Sequence, residues 1–289
     1  MKLEVRRMPK AKNLTVAFVL LAAALPARAE LDDASVLFPP VAELLGETDP
    51  VLPESERLDL RDALMAMPPL QAELRALASG SASRQRGALD RLGAKRERKA
   101  APYIGALLLQ TSSPLQSRVS AANALGRIGE KDSVTFLERA TLDENKELRF
   151  AAALALGKLK SVEAVRALET VLRDDPHWWV RYAAAVALGD TRQPAAVPAL
   201  SRALSEELRW QVRQQAARSL GTIGTRPAVE ALGRALGDQD STVRYSAARA
   251  LGEVGGTESV DLLHDAYATE SDPLPRGQLQ ASLKRATRR

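Results

Sequence analysis

Apolar residues recur along most of the chain at helical intervals of three and four positions, and the pattern as a whole repeats. In each copy, a first stretch carries apolar residues such as Val165, Leu168 and Val171 on one side, and a second stretch ends in alanines, a leucine and a glycine. A turn signal, such as the acidic and proline-containing residues 174–176, separates the two stretches. The pattern predicts a helix-turn-helix hairpin as the unit.

The second stretch occurs in five clear copies and one degenerate copy. The copies read RVSAANALG, RFAAALALG, RYAAAVALG, RQQAARSLG and RYSAARALG, after an earlier QRGALDRLG. The closing glycines are 33, 31, 32, 32 and 31 residues apart, at Gly93, Gly126, Gly157, Gly189, Gly221 and Gly252. Such a period is typical of repeat proteins. We expect each closing glycine to adopt the left-handed conformation that ends a helix.

Small side chains on the second helix predict how the hairpins stack. Val243, Ala247, Ala250 and Leu251 fall on one helix face. Alanine at such positions lets neighbouring helices approach to the short end of the usual range of about 8–10 Å between axes. One hairpin cannot bury this face alone, whereas a row of hairpins forms a continuous core. We therefore predict an all-α fold, an α-solenoid of about six helix-turn-helix repeats.

The repeated phrase resembles the HEAT-like repeats of the phycobilisome-lyase type, whose second helix reads VRxxAAxALGxxG. The resemblance covers about residues 81–268 and is looser in RVSAANALGRIG, where Ser117 replaces the leading valine. It implies a fold that mostly hosts protein–protein contacts, without specifying one function.

Other segments flank the repeats. Residues 1–29 have the layout of a signal peptide, with a basic stretch, an apolar run at 14–25 and small residues at Ala27 and Ala29. We expect cleavage between Ala29 and Glu30, and an uncleaved membrane anchor is the alternative. The sequence then predicts an acidic, proline-containing arm or linker at 30–53, capping helices at 54–80, repeats at 81–268, and a capping helix with a basic tail at 269–289.

Charge argues against nucleic acid as a partner. The whole chain has a net charge of +5, and residues 1–29 carry six basic and one acidic residue, so the mature protein is neutral. Residues 30–62 hold ten acidic and two basic residues, and a basic cluster follows from Arg84 to Lys99. The cluster is a solvated helix face, a patch for an anionic partner or a docking site for the acidic arm, and the sequence leaves these open.

The chain offers little for catalysis. It has no cysteine and two histidines, His177 before Trp178 and His264 before Asp265. The paired His-Glu motifs of the iron-dependent hydroxylases built on this fold are therefore absent, and no ligand set at close spacing suits a metal. We expect no catalytic residue, no metal, no cofactor and no enzymatic activity, except a lyase-like activity by fold analogy.

A polar pair recurs in register with the glycines. An arginine stands eight positions before the closing glycine, and an acidic residue stands fourteen positions before it in four copies. They are Arg118, Arg149, Arg181, Arg213 and Arg244, with Asp143, Asp175, Glu207 and Asp238. One interpretation is an anion-binding ladder. We favour the other, in which each arginine bridges the helix starts of neighbouring repeats.

A second-helix stripe lies away from the core, ten, seven and three positions before the closing glycine, and we expect it to line the concave side of the solenoid. It is apolar and aromatic where most helices are charged, in a chain with 4% aromatic residues. The stripe residues are Phe150, Leu154, Trp179, Tyr182, Val186, Arg218, Tyr245 and Arg249, with Gln211 and Gln214 between them. The alternative is that Phe150 and Tyr182 only pack over adjacent repeats.

These features together predict an exported, non-catalytic scaffold in the cell envelope that binds another protein through the stripe. A lyase-like or maturation factor that presents or attaches a cofactor to a partner protein is the alternative. We expect a periplasmic or secreted location and no stable membrane span after signal cleavage.

The signal peptide gives the first testable prediction. Amino-terminal sequencing of the exported protein should begin at Glu30, because the small residues at 27 and 29 form the cleavage site. Exported protein that still begins at Met1 would exclude cleavage.

Overall fold

The computed structural model describes residues 68–286, and the predicted signal peptide and acidic arm lie outside this range. The described residues contain fourteen α-helices and no β-strand, in agreement with the predicted all-α solenoid. The helices are α1 (Pro68–Leu77), α2 (Ala82–Lys95), α3 (Ala101–Leu109), α4 (Leu115–Ile128), α5 (Ser133–Ala140), α6 (Lys146–Leu159), α7 (Val162–Asp174), α8 (Trp178–Thr191), α9 (Val197–Glu206), α10 (Trp210–Ile223), α11 (Arg226–Ala235), α12 (Ser241–Val254), α13 (Thr257–Thr269) and α14 (Pro273–Ala286).

The chain divides into two compact units, one ending at Ile128 and the other beginning at Gly129. In the described part of unit 1, α1 pairs with α2 and α3 pairs with α4, and the second helices α2 and α4 pack on each other. Short 3-10 helices precede α3 and, in unit 2, α9.

Unit 2 consists of five helix pairs arranged in two layers. The first helices α5, α7, α9, α11 and α13 form one layer, and the second helices α6, α8, α10, α12 and α14 form the other. Within unit 2, each helix packs on its own partner and on the equivalent helix of each neighbouring hairpin of that unit. Alanine, valine and leucine fill the space between the layers, and Val180, Leu188, Leu220 and Leu251 are fully buried.

The closing glycines are not helix ends, and that expectation is wrong. Gly157 and Gly189 lie inside α6 and α8, which continue for two more residues. A Cβ atom on Gly157 would lie 2.7 Å from the Cα of Ala187 on the next second helix, and one on Gly189 would lie 2.5 Å from the Oγ of Ser219. The glycine is therefore required by the close approach of two helices.

In five copies, the left-handed residue that ends the second helix lies three positions after the closing glycine. Gly129 and Gly224 hold this place with φ angles of 74° and 66°. In other copies this place is held by Arg96, Lys160 and Arg192, with φ between 51° and 54°. Residues that have a Cβ atom adopt this backbone conformation at some cost in free energy.

Helix α14 is a further copy of the second helix, in the segment where the sequence predicted a capping helix. Ser282 packs against Gly252 as Ala250 packs against Gly221. The phrase RGQLQASLK has its arginine at Arg276 and a lysine, Lys284, in place of the closing glycine. Lys284 and Gln280 are exposed where inner copies carry buried glycine and alanine, and such a polar outer face is typical of a terminal repeat.

No helix within residues 68–286 combines the length and the apolar character needed to cross a membrane.

Two glycine substitutions should separate close packing from helix propensity. Gly157→Ala should lower the free energy of unfolding by about 2–3 kcal/mol, because its Cβ would overlap the backbone of α8. Gly277→Ala is the matched control, since nothing lies within 4 Å of its Cβ position on α14. The control should gain about 0.5–1 kcal/mol from helix propensity. Urea unfolding measures both, and equal effects would refute the close-approach explanation.

Candidate functional site

In four of the five hairpins of unit 2, the arginine eight positions before the closing glycine links its own hairpin to the next one. Its Nε and Nη2 atoms donate to a carboxylate in the loop of the next hairpin, with Nε–oxygen distances of 2.6–2.8 Å. The four pairs are Arg149–Asp175, Arg181–Glu207, Arg213–Asp238 and Arg244–Glu270. Both partners of each pair are largely buried, so water screens the attraction weakly.

The remaining guanidinium nitrogen binds the loop of the arginine's own hairpin. Nη1 of Arg181 donates to the backbone carbonyl of Asp175 at 2.8 Å, and Nη1 of Arg213 donates to that of Glu207 at 2.9 Å. The nitrogens of these guanidinium groups thus face acceptors of the protein itself. The geometry is that of a contact between repeats rather than of a site open to an external anion.

The acidic partner has a second contact that shapes its loop. Oε1 of Glu207 accepts a hydrogen bond from the backbone N–H of Arg209 at 3.1 Å, and Oδ1 of Asp238 accepts one from that of Asp240 at 2.8 Å. Each carboxylate therefore fixes the turn before its own second helix and receives the arginine of the preceding hairpin.

The carboxyl group of Glu207 is held in its charged form. Burial acts to raise its pKa, but the hydrogen bond from Arg181, the backbone N–H groups and the positive charge outweigh burial, and the pKa is lowered. For Glu270, the hydrogen bond from Arg244 is the largest cause of a lowered pKa, opposed by burial. These shifts mean that folding favours the ionised carboxylates.

Two further arginines occupy the same repeat position. In unit 1, Nε of the buried Arg118 donates to the carbonyl of Leu108 at 2.9 Å. In α14, Nη1 of Arg276 donates to the carbonyl of Glu270 at 2.6 Å, and its guanidinium lies 4.4 Å from the ring centre of Tyr267. Arg276 was not predicted from the sequence, because Lys284 stands where the other copies carry the closing glycine. The regular spacing of 32 residues after Gly252 is the signal that would have found it.

The stripe residues lie on the second-helix layer of unit 2. Phe150 and Leu154 are on α6, Trp179, Tyr182 and Val186 are on α8, and all five are half-buried. The rings of Phe150 and Trp179 contact each other across the two helices, with centroids 4.8 Å apart and planes inclined by 34°. These residues therefore pack partly over adjacent repeats while keeping part of their apolar surface accessible.

The second half of the stripe is polar. On α10, Gln211 and Gln214 are half-buried and Arg218 is exposed. On α12, Tyr245 is half-buried and Arg249 is exposed, and Nε of Arg249 lies 2.9 Å from Glu253. Trp210, beside Gln211 at the start of α10, is 39% exposed. The layer thus changes from apolar to cationic along successive hairpins.

No metal-binding arrangement is found within residues 68–286. Groups of three or more acidic, histidine or cysteine side chains that could hold a metal ion are absent from this part of the chain. Nδ1 of His177 lies 3.3 Å from Nη2 of Arg149, and His264 is exposed on α13. A shallow cleft of about 270 Å³ beside α7 and α9 is lined by both signs of charge, including Glu169, Arg173 and Arg202.

The basic cluster lies on the surface of unit 1, and all seven of its side chains are exposed. Arg91 forms a double hydrogen bond with Glu73 of α1, at 2.7 and 2.8 Å. The acidic arm proposed as one occupant of the cluster lies outside the described residues.

Comparison with known proteins identifies the family. The model of HEAT repeats matches residues 139–214 and 203–284, which together span half of the chain, and the model of the PBS lyase HEAT-like repeat matches residues 117–143. The chain belongs to the HEAT-repeat family, and the resemblance drawn from the repeated phrase is confirmed.

Several individual proteins are similar to parts or all of the chain. Deoxyhypusine hydroxylase of Danio rerio is 34% identical over 71 residues, which are 25% of this chain and 23% of that protein. The X-ray structure of YibA from Escherichia coli has a TM-score of 0.50 at 16% identity and covers 99% of this chain and 100% of its own. The complex of CpcE and CpcF of phycocyanin lyase from Nostoc has a TM-score of 0.47 at 22% identity, covering 75% and 94%. The chain thus spans about a quarter of the curated relative, and the structural likenesses concern the fold alone.

The expectation that the chain is not an enzyme is wrong. It rested on the absence of cysteine and the scarcity of histidine, but the curated relative that shares these repeats is named as an enzyme. Repeats of this type therefore occur in enzymes, and residue composition does not exclude that class.

The arginine contact generates the third prediction. Arg181→Ala should lower the free energy of unfolding by about 2–4 kcal/mol at pH 7, because it leaves the largely buried Glu207 carboxylate without its main partner. The loss should shrink as pH falls through the lowered pKa of Glu207, since a group with a depressed folded pKa stabilises only above it. The control is Arg202→Ala, which removes the exposed ion pair between Arg202 and Glu169, whose charged atoms lie 3.5 Å apart. It should cost under about 1 kcal/mol. Equal losses in both variants under urea would argue against the contact.

Proposed function

We propose that this helical-repeat scaffold is exported and binds a partner protein on the stripe of its second-helix layer. One observation carries the proposal, namely the run of half-buried apolar and aromatic side chains on α6 and α8. Residues of this kind are enriched among those that contribute most to protein interfaces. The described part of the chain offers no comparable run on the first-helix layer, whose surface is mainly charged.

The size of the layer supports this role. Five second helices packed side by side at about 8–10 Å extend over roughly 30–40 Å. A surface of that length accommodates the roughly 800 Å² that each partner contributes to an ordinary protein interface. The arginine contacts support the proposal further, because they fix the spacing of the helices and thereby the shape of the surface.

Export remains part of the proposal. Its support is the basic, apolar and small-residue layout of residues 1–29, which lies outside the described structure. A location in the cell envelope, either periplasmic or secreted, follows from that layout.

A maturation factor that presents or attaches a cofactor to a partner protein is a second candidate. The match of residues 117–143 to the PBS lyase HEAT-like repeat favours it. Such a factor should yield a coloured or covalently transferred ligand on purification, whereas a scaffold should retain a protein.

Capture of a partner from envelope extract tests the stripe. The double substitution Trp179→Ala, Tyr182→Ala should remove partner capture while helicity stays intact. Loss of the contact between Trp179 and Phe150 should cost about 1 kcal/mol, and the melting temperature should fall by a few degrees only.

The matched control is Glu163→Ala, Arg166→Ala, two exposed residues on the first helix of the same hairpin. It should capture the partner at full strength. Full capture by the stripe variant, or its unfolding, would reject the stripe as the binding surface.

A further inference from the structure

The two layers of unit 2 carry opposite charge on their exposed surfaces. The second helices hold seven exposed basic and three exposed acidic side chains within residues 146–286. The first helices hold six exposed basic and eight exposed acidic side chains over the described range 133–269. The layer that carries the stripe is therefore the cationic one, although the mature protein as a whole is neutral.

The positive charge is concentrated beyond the apolar end of the stripe. Three positions before the closing glycine, Leu154 and Val186 are followed by Arg218 and Arg249 in the next two hairpins. The side chain of Arg218 has no hydrogen bond or ion pair to any described residue, so its donors face solvent. Arg249 lies 2.9 Å from Glu253, and Arg285 lies 3.8 Å from the same carboxylate, so one acidic group neighbours two cations.

We infer that the partner presents an acidic polypeptide segment that places an aliphatic or aromatic side chain on α8 and carboxylates on Arg218 and Arg249. This inference rests on the proposed function and adds the chemistry of its partner. The apolar anchor contacts Tyr182 and Val186. One carboxylate binds the guanidinium group of Arg218, which has no partner among the described residues, and the other binds that of Arg249, which also contacts Glu253. Charge complementarity of this kind also repels basic segments.

The spacing of the hairpins sets the spacing within the segment. Neighbouring second helices lie about 8–10 Å apart, and an extended chain rises about 3.3 Å per residue. A segment that crosses the helices therefore passes one hairpin about every three residues. The first carboxylate stands about three residues from the apolar anchor, above α10, and the second about six residues from it, above α12.

Selection from a displayed library of random 12-residue peptides tests this inference. Peptides bound by the whole chain should be enriched in acidic residues three and six positions from a leucine, phenylalanine or other large apolar residue. The most enriched peptide is then synthesised, and its Kd is measured by fluorescence anisotropy. For the wild-type chain, raising the salt concentration should weaken its binding, because the charges lie on an exposed surface.

Two variants separate this inference from the proposed function. Arg218→Glu, Arg249→Glu should raise the Kd of the acidic peptide at least about tenfold and should select basic peptides from the same library. Both side chains are exposed, and the Arg249–Glu253 pair that is lost lies on the surface, so the melting temperature should fall by a few degrees at most. Trp179→Ala, Tyr182→Ala keeps both arginines and should lose the acidic peptide, because the apolar anchor no longer has its binding surface.

The outcomes are distinct. Enrichment without acidic bias, no enrichment, or unchanged binding to the charge-reversed variant overturns the acidic-segment inference and leaves the stripe as a binding surface. Peptide binding that survives Trp179→Ala, Tyr182→Ala overturns the stripe itself. An acidic peptide lost by both variants supports the inference.

Discussion

The close approach of successive second helices is the constraint on which the rest of the structure depends. Gly221 meets Ala250 and Gly252 meets Ser282 at distances that leave no space for a Cβ atom on the glycine. Dispersion and burial at such short range are gained only when both surfaces are nearly free of side chains. The alanines, the small residue two positions before each closing position and the shared helix direction all follow from this requirement. Larger side chains are consequently found on the opposite side of the same helices, where the stripe forms.

The arginine contacts complement this packing. A face built from glycine and alanine is nearly uniform, so apolar packing alone would specify the register between hairpins weakly. The double hydrogen bond between Arg213 and Asp238 is directional and connects a helix to a loop of the next hairpin. Packing provides the attraction between hairpins, and the polar contact selects one register for it.

Much of the fold could be predicted from the sequence. The apolar pattern of both helices recurs about every 32 residues, so each copy supports the assignment of the others. The recurring arginine and carboxylate positions, such as Arg181 and Glu207, were visible for the same reason, but the sequence did not specify which arginine pairs with which carboxylate. The role of Gly157 could not be predicted, because an interior glycine and a helix-ending glycine differ only in their backbone angles and neighbours. Helix α14 was predicted as a capping helix but not recognised as a copy of the second helix, because Lys284 replaces the glycine that marked the other copies. The contact of Phe150 with Trp179 depends on the offset between neighbouring helices, which a single-helix projection does not contain.

The four arginine–carboxylate pairs of unit 2 all point in one direction along the chain, from an arginine to the carboxylate one hairpin later. A hairpin between two such pairs can therefore be removed as a unit without changing the chemistry at the new junction. Excision of residues 190–221 would bring Arg181 opposite Asp238, an arginine–carboxylate pair like the one it loses. Duplication of one repeat would likewise create a matched junction. Recombination between repeats thus gives evolution a way to lengthen or shorten the second-helix layer by one helix at a time while the connections between hairpins stay intact.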